Sequence, residues 1–108
     1  MRIVVFQTTE EKAQGLIGVS PIPPETLFVF PNMRGGGYFH SRGVLEPFEI
    51  HFFDQLWKPV GWSYVVKPPT GLVQTPTTAK TVVEAKVGTL GQIGYPKMSE
   101  LTRMALES

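Results

Sequence analysis

The chain has 108 residues and a net charge of +1, so one small domain without a generic nucleic-acid field is expected. It contains no cysteine, which excludes disulfides, thiolate metal sites and cysteine nucleophiles. Gly and Pro supply 21 residues and Val, Ile and Thr 27, a balance that favours turns and strands over long helices.

Met1-Arg2 precede only four apolar residues, Ile3 to Phe6, too few for a secretion signal. No apolar run approaches the roughly 20 residues needed to span a bilayer. The expected setting is cytoplasmic, or an intracellularly assembled particle, without membrane insertion.

Residues 2–7 read as a first strand. Thr8 and Glu11 have capping-box spacing for a short helix over residues 9–14, and Gly15 is a natural stop. Ser20 to Pro24 admits neither helix nor central strand. Residues 27–30 form an apolar run that predicts a buried strand. Arg34-Gly35-Gly36-Gly37 predicts a loop, and residues 38–41 a strand. In residues 48–54 the alternation is clearest: Phe48, Ile50 and Phe52 share one face, and Glu49, His51 and Phe53 the other. A turn follows, then a strand over 59–66, which makes 48–66 a hairpin. Another strand is expected at 82–87. Residues 88–96 carry three glycines and no period, and 97–106 predict a helix with Ser99 as N-cap.

Five segments in order resemble the domain-of-unknown-function family 192 of bacterial and archaeal proteins. Thr9-Glu10-Glu11-Lys12-Ala13-Gln14-Gly15-Leu16-Ile17 is similar to its Thr-x-Glu-x-x-x-Gly-Leu-Met opening. Leu27-Phe28-Val29-Phe30-Pro31 resembles its Leu-Phe-x-Phe-Pro strand. Residues 45–54, Leu-Glu-Pro-Phe-Glu-Ile-His-Phe-Phe-Asp, resemble Leu-Ile-Pro-Leu-Asp-Ile-x-Phe-Phe. Val65-Val66-Lys67-Pro68 is the fourth segment. Val82-Val83-Glu84-Ala85-Lys86-Val87-Gly88 is similar to Val-Leu-Glu-Leu-x-Ala-Gly. The resemblance implies a compact, mostly β domain with short helices, and no established reaction. Where the family has Phe-Trp-Met-Lys-Asn-Thr, this chain has Phe39-His40-Ser41-Arg42-Gly43-Val44. The family's Asp is Glu49 here. The scaffold is therefore expected to be shared and the most distinctive surface altered.

The candidate site residues are Arg34, His40, Arg42, Glu49 and His51. Arg34 and Arg42 flank a Gly-rich loop that is either a flexible turn or a backbone nest for an anion. Glu49 and His51 share a strand face, either a polar sheet surface or part of a metal or acid–base site, which His40 joins if strands 38–41 and 48–53 pair. Arg42 and Glu49 are also spaced to form a cross-strand ion pair. No Gly-x-Ser-x-Gly elbow is present, and no nucleophile triad is assembled from sequence neighbours. Trp57, Trp62, Tyr64 and Phe53 gather at the hairpin, for the core or for stacking. Met98, Leu101, Met104 and Ala105 make one helical stripe, which closes the protein's own core or docks on a neighbouring chain.

The expected architecture is one β-dominated α+β domain, 1–108, barrel-like or sandwich-like, with short helices. The expected function is a non-catalytic binding or structural module, a component of a larger assembly, partnered by another protein or by copies of itself. Met98, Leu101 and Met104 are the partner-binding candidates. The alternative is a binder of a small anionic or carbohydrate ligand. No catalytic residue, metal, cofactor or nucleic-acid partner is assigned.

Overall fold

The computed structural model describes all 108 residues. Seven strands and two helices follow in the order β1 (Arg2–Val5), α1 (Thr9–Gln14), β2 (Thr26–Phe30), β3 (Tyr38–His40), β4 (Phe48–Phe53), β5 (Tyr64–Val66), β6 (Leu72–Gln74), β7 (Thr81–Lys86) and α2 (Thr89–Glu107). Five strands form a mixed sheet in the order β1-β2-β7-β4-β5. β1 and β2 are parallel; the other pairs are antiparallel. β3 and β6 form a separate two-stranded ribbon. The fold is α+β and mostly sheet, and the larger sheet is open, not closed into a barrel.

Each face of the sheet has its own core. On one face Phe28, Phe30, Phe48, Ile50, Phe52 and Val82 pack with Leu16 after α1, Ile22 of the Pro-rich segment, Val44 of the β3–β4 loop and Val73 of the ribbon. On the other, Leu27, Val29, Phe53, Val83 and Ala85 pack against Met98 of α2. Alternation therefore assigns faces correctly in β4, but both faces are covered. All six residues of β4 are buried, including Glu49 and His51.

Phe52 is 1% exposed, at the centre of the first core. Phe52→Ala should cost about 3–5 kcal/mol, because it removes packing and leaves a cavity. The urea midpoint measures this; a loss under about 1 kcal/mol would contradict the packing.

Local signals explain α1. Thr8 Oγ1 accepts from the Glu11 N–H at 3.0 Å, and Glu11 Oε1 accepts from the Thr8 N–H at 2.9 Å. The terminal helix differs from expectation. It runs over 89–107 and breaks at Gly94, whose φ of 78° lies outside the helical region, ahead of Pro96. Ser99 is not a cap: its hydroxyl donates to the Trp57 carbonyl at 2.6 Å. The predicted hairpin pairs over only three residues, Phe48–Ile50 with Tyr64–Val66, and an isolated bridge joins Phe53 to Pro59. β6 was not expected from the sequence.

Candidate functional site

Two polar constellations occupy opposite faces of the sheet. The first is under α2. Glu49 Oε1 accepts from the Gly88 N–H at 2.8 Å, and Oε2 from the Leu90 N–H at 2.9 Å. Gly88, the N-cap of α2, has no side chain to do this. Glu49 thus caps a helix whose N-cap lies 39 residues later, where an anion suits free N–H groups and the positive helix end. His51 Nε2 lies 2.5 Å from Glu49 Oε2, and His51 Nδ1 lies 2.6 Å from Ser63 Oγ. Ser63 in turn bonds the Tyr95 hydroxyl, on α2 just after the break.

Burial pushes the Glu49 carboxyl up, but the bonds from His51, Leu90 and Gly88 outweigh it and hold it below its usual value. Ionised Glu49 accepts from His51 Nε2–H. With Nε2–H given to Glu49, His51 Nδ1 is bonded to the Ser63 hydroxyl and Ser63 to the Tyr95 hydroxyl. Ser63, His51 and Glu49 stand in the hydrogen-bond order of a nucleophile triad, which sequence neighbours did not reveal. Neither main cavity is lined by Ser63. The row locks the sheet to α2.

Glu49→Ala should therefore cost about 3 kcal/mol at pH 7, since it removes the partner of buried His51 and of the part-buried Gly88 and Leu90 N–H groups. Glu49's folded pKa is depressed, so its contribution is present above the unfolded value of 4.5 and lost as pH falls below it. Urea midpoints at pH 7 and pH 3.5 should show the variant's deficit shrinking in acid.

The second constellation surrounds a cavity of about 360 Å³ on the other face, between α1, the Gly-rich loop, β3 and the sheet. Phe30, Phe39, Phe48 and Val44 give it an apolar interior; Lys12, Arg34 and His40 also line it. Phe30 and Phe39 meet edge to face, their centroids 5.4 Å apart. In its lining stands Glu84, 4% exposed, on β7 between Phe28 and Ile50 of the flanking strands. Its carboxyl makes no hydrogen bond or ion pair, and burial alone pushes it up to about 8. At neutral pH it is an acid that keeps its proton and has no partner in the protein. A second hollow, of about 420 Å³, holds Asp54, whose Oδ1 accepts from the Leu56 and Lys58 N–H groups and so shapes the turn after β4.

The predicted site residues divide between these places. Arg34 and His40 come together at the cavity. His40 Nδ1 accepts from the Arg42 N–H at 3.2 Å, which puts its proton on Nε2. Arg42 is exposed and outside the cavity lining, and it makes no ion pair with Glu49, whose partners are under α2. That expected pair is corrected. So is the joining of His40 to Glu49 and His51, because β3 pairs with β6 and not β4. The polar sheet surface expected for Glu49 and His51 is a buried layer. No group of three or more His, Asp or Glu side chains converges as a metal-holding set.

The Gly-rich loop is a tight turn, not an open nest. A Cβ on Gly35 would lie 2.2 Å from the Thr77 carbonyl oxygen, so only glycine fits there. The Gly36 N–H is already given to the Thr75 carbonyl at 3.0 Å. Met98 is fully buried and Leu101 packs beside it, so neither presents itself to a partner; Met104 is 57% exposed. Trp62 and Tyr64 are exposed, while Phe53 is in the core.

No family model matches the chain, and no curated protein matches it. Two solved structures are similar to it. One is a protein of unknown function from Novosphingobium aromaticivorans, 20% identical, with a TM-score of 0.74 over 87% of this chain and 69% of that one. The other, from Sinorhizobium meliloti, is described as a candidate transcription regulator. It is 14% identical, with a TM-score of 0.72 over 85% of this chain and 73% of that one. At these identities the likeness is one of fold alone.

Glu84 is the residue that reading the sequence for sites passed over. Its signal is local: a single acid inside Val82-Val83-Glu84-Ala85, apolar on both sides. Such a run predicts a central strand, and a central strand buries whatever acid it contains.

Proposed function

We propose that this chain is a non-catalytic binding module that takes a small organic molecule into the cavity beside Glu84. The observation that supports it is a buried carboxyl facing a hollow with no protein partner. Burying such a group costs free energy unless something bonds it. A ligand that supplies the missing bond gives the sequence a reason to keep it. The hollow has the volume of a metabolite site, at the low end of the roughly 300–1,000 Å³ typical of ligand pockets.

A net charge of +1 gives no field for a nucleic-acid backbone, so ligand capture is the reading for this chain rather than DNA contact. No helix is long and apolar enough to cross a membrane. Docking on a protein partner keeps only Met104 of its three named residues. Membership of the domain-of-unknown-function family 192 belongs to the same proposal, resting on the five ordered motifs.

Gly37 supplies the test. It lines the cavity, and a side chain built there meets no atom within 4 Å. Gly37→Trp should fill the mouth without unfolding the protein. Amide shifts of Gly15, Gly37 and Phe39 are followed during titration with 2-naphthol, 2-naphthoate and 2-naphthylmethylamine. At least one probe should shift all three residues in the native protein and none in the variant. No shift with any probe, or equal binding by the variant, would overturn the proposal.

A further inference from the structure

The cavity's chemistry is asymmetric. The charged side chains that line it, apart from Glu84, are the cations Lys12 and Arg34. Arg34 is exposed and Lys12 half-buried, whereas Glu84 is sunk in the sheet between aromatic and aliphatic neighbours. His40 adds a further donor through Nε2–H. Positive charge therefore stands towards solvent, and a neutral acid stands inside.

Resting on the binding reading above, we infer that the ligand is an amphipathic organic anion. Its acid group is held by Arg34 and Lys12, its apolar body lies along Phe30, Phe39 and Phe48, and an oxygen of that body accepts a hydrogen bond from Glu84. Each part follows from a feature of the cavity. A guanidinium and an ammonium, both lining the cavity, favour carboxylate, sulfonate or phosphate. The aromatic walls select a flat apolar body. A protonated carboxyl has one O–H to give, and it is satisfied by a carbonyl, hydroxyl or ether oxygen. Burial, the sole influence on the Glu84 pKa, holds the proton there at neutral pH.

The competing class is an organic ammonium ion, drawn by Glu84 and by the faces of the aromatic rings. Such a ligand would have to ionise a carboxyl that the apolar surroundings keep neutral. It would also have to pass two cations at the mouth. Both effects oppose it, while both favour the anion.

The experiment compares 6-hydroxy-2-naphthoate, 2-naphthoate and 2-naphthylmethylamine on the native protein by calorimetry at pH 7. The hydroxynaphthoate should bind best, and the amine at least ~tenfold more weakly than either acid. Arg34→Gln, at an exposed position, should weaken both acids about tenfold and leave 2-naphthol unchanged. Glu84→Gln keeps a donor and should preserve the preference for the hydroxyl-bearing acid; Glu84→Leu should abolish it. An amine that binds more tightly than the acids, or indifference to Arg34→Gln, would overturn this inference while the binding reading stood. Failure of all probes would overturn both.

Discussion

Truncation before Lys97 should abolish cooperative folding. The removed residues 97–108 carry Met98, which is 0% exposed and packs on Leu27, Val29, Phe53, Val83 and Ala85. They also carry Ser99, whose hydroxyl satisfies the Trp57 carbonyl. Removing Met98, Leu101 and Leu106 uncovers much of one sheet face and exposes several apolar side chains, each stabilising by about 1.5–3 kcal/mol when buried. The sum meets or exceeds the 5–15 kcal/mol by which a typical small domain is stable. Circular dichroism during a urea titration should show no sigmoidal transition. Met104→Ser is the control: at an exposed position it should change stability by no more than about 0.5 kcal/mol. A truncated chain that still unfolds cooperatively would mean that the Phe28–Phe30–Phe48–Phe52 core suffices alone, and the segment would then be free to serve another chain.

Stability should also fall as pH rises from about 4.5 to about 8, because of Glu84. Its carboxyl titrates near 8 in the folded protein and at 4.5 in the unfolded chain. Between those values the folded state holds a proton that the unfolded state has released. Stability is then fully present below 4.5 and is lost through 8, with a limiting slope of about 1.4 kcal/mol per pH unit. Glu84→Gln removes the titrating group, so the difference between native and variant isolates the effect from other ionisations. Urea midpoints at pH 5, 6, 7 and 8 should converge or cross at the acid end and separate at the alkaline end, the variant being the more stable there. Parallel midpoints would show that the carboxyl is solvated rather than buried. Glu49 acts in the opposite sense, losing its contribution in acid, so the two glutamates bound a stability maximum from either side.

What was legible in the sequence was whatever is decided within a few residues. Thr8 and Glu11 announce α1 because a capping box closes over three positions. Phe48, Ile50 and Phe52 announce one face of β4 because side chains alternate. The environment of the other face was not legible, since α2 arrives from the far end of the chain. Glu49 and His51 look like surface residues in any local window; a helix beginning at Thr89 makes them interior. The first half of α2 was hidden for a related reason. Gly91, Gly94 and Pro96 argue against a helix there, and its cap lies on another strand. Among the site residues, Arg34 is legible from its charge beside the Gly-rich loop, whereas His40 is reached through a strand pairing with β4 that does not form. Their company with Glu84 depends on β3 pairing with β6 instead of β4, a choice of partner that strand periodicity does not encode.

The edge strand β1 has one neighbour, β2, and its Ile3 and Val5 are covered by α2's Leu101 and Leu106 cluster. The first and last segments of the chain therefore complete one another. Translation delivers the strand first and its cover last. Until the final helix leaves the ribosome, Leu27, Val29 and Val83 have no roof, and the nascent chain presents an apolar sheet face to whatever meets it. The closure also joins β1 at Arg2–Val5 to α2 at Thr89–Glu107, a non-local contact of the kind that slows folding. Synthesis in the cell should thus leave a window in which a holdase, or a second unfinished copy, competes with α2 for that face.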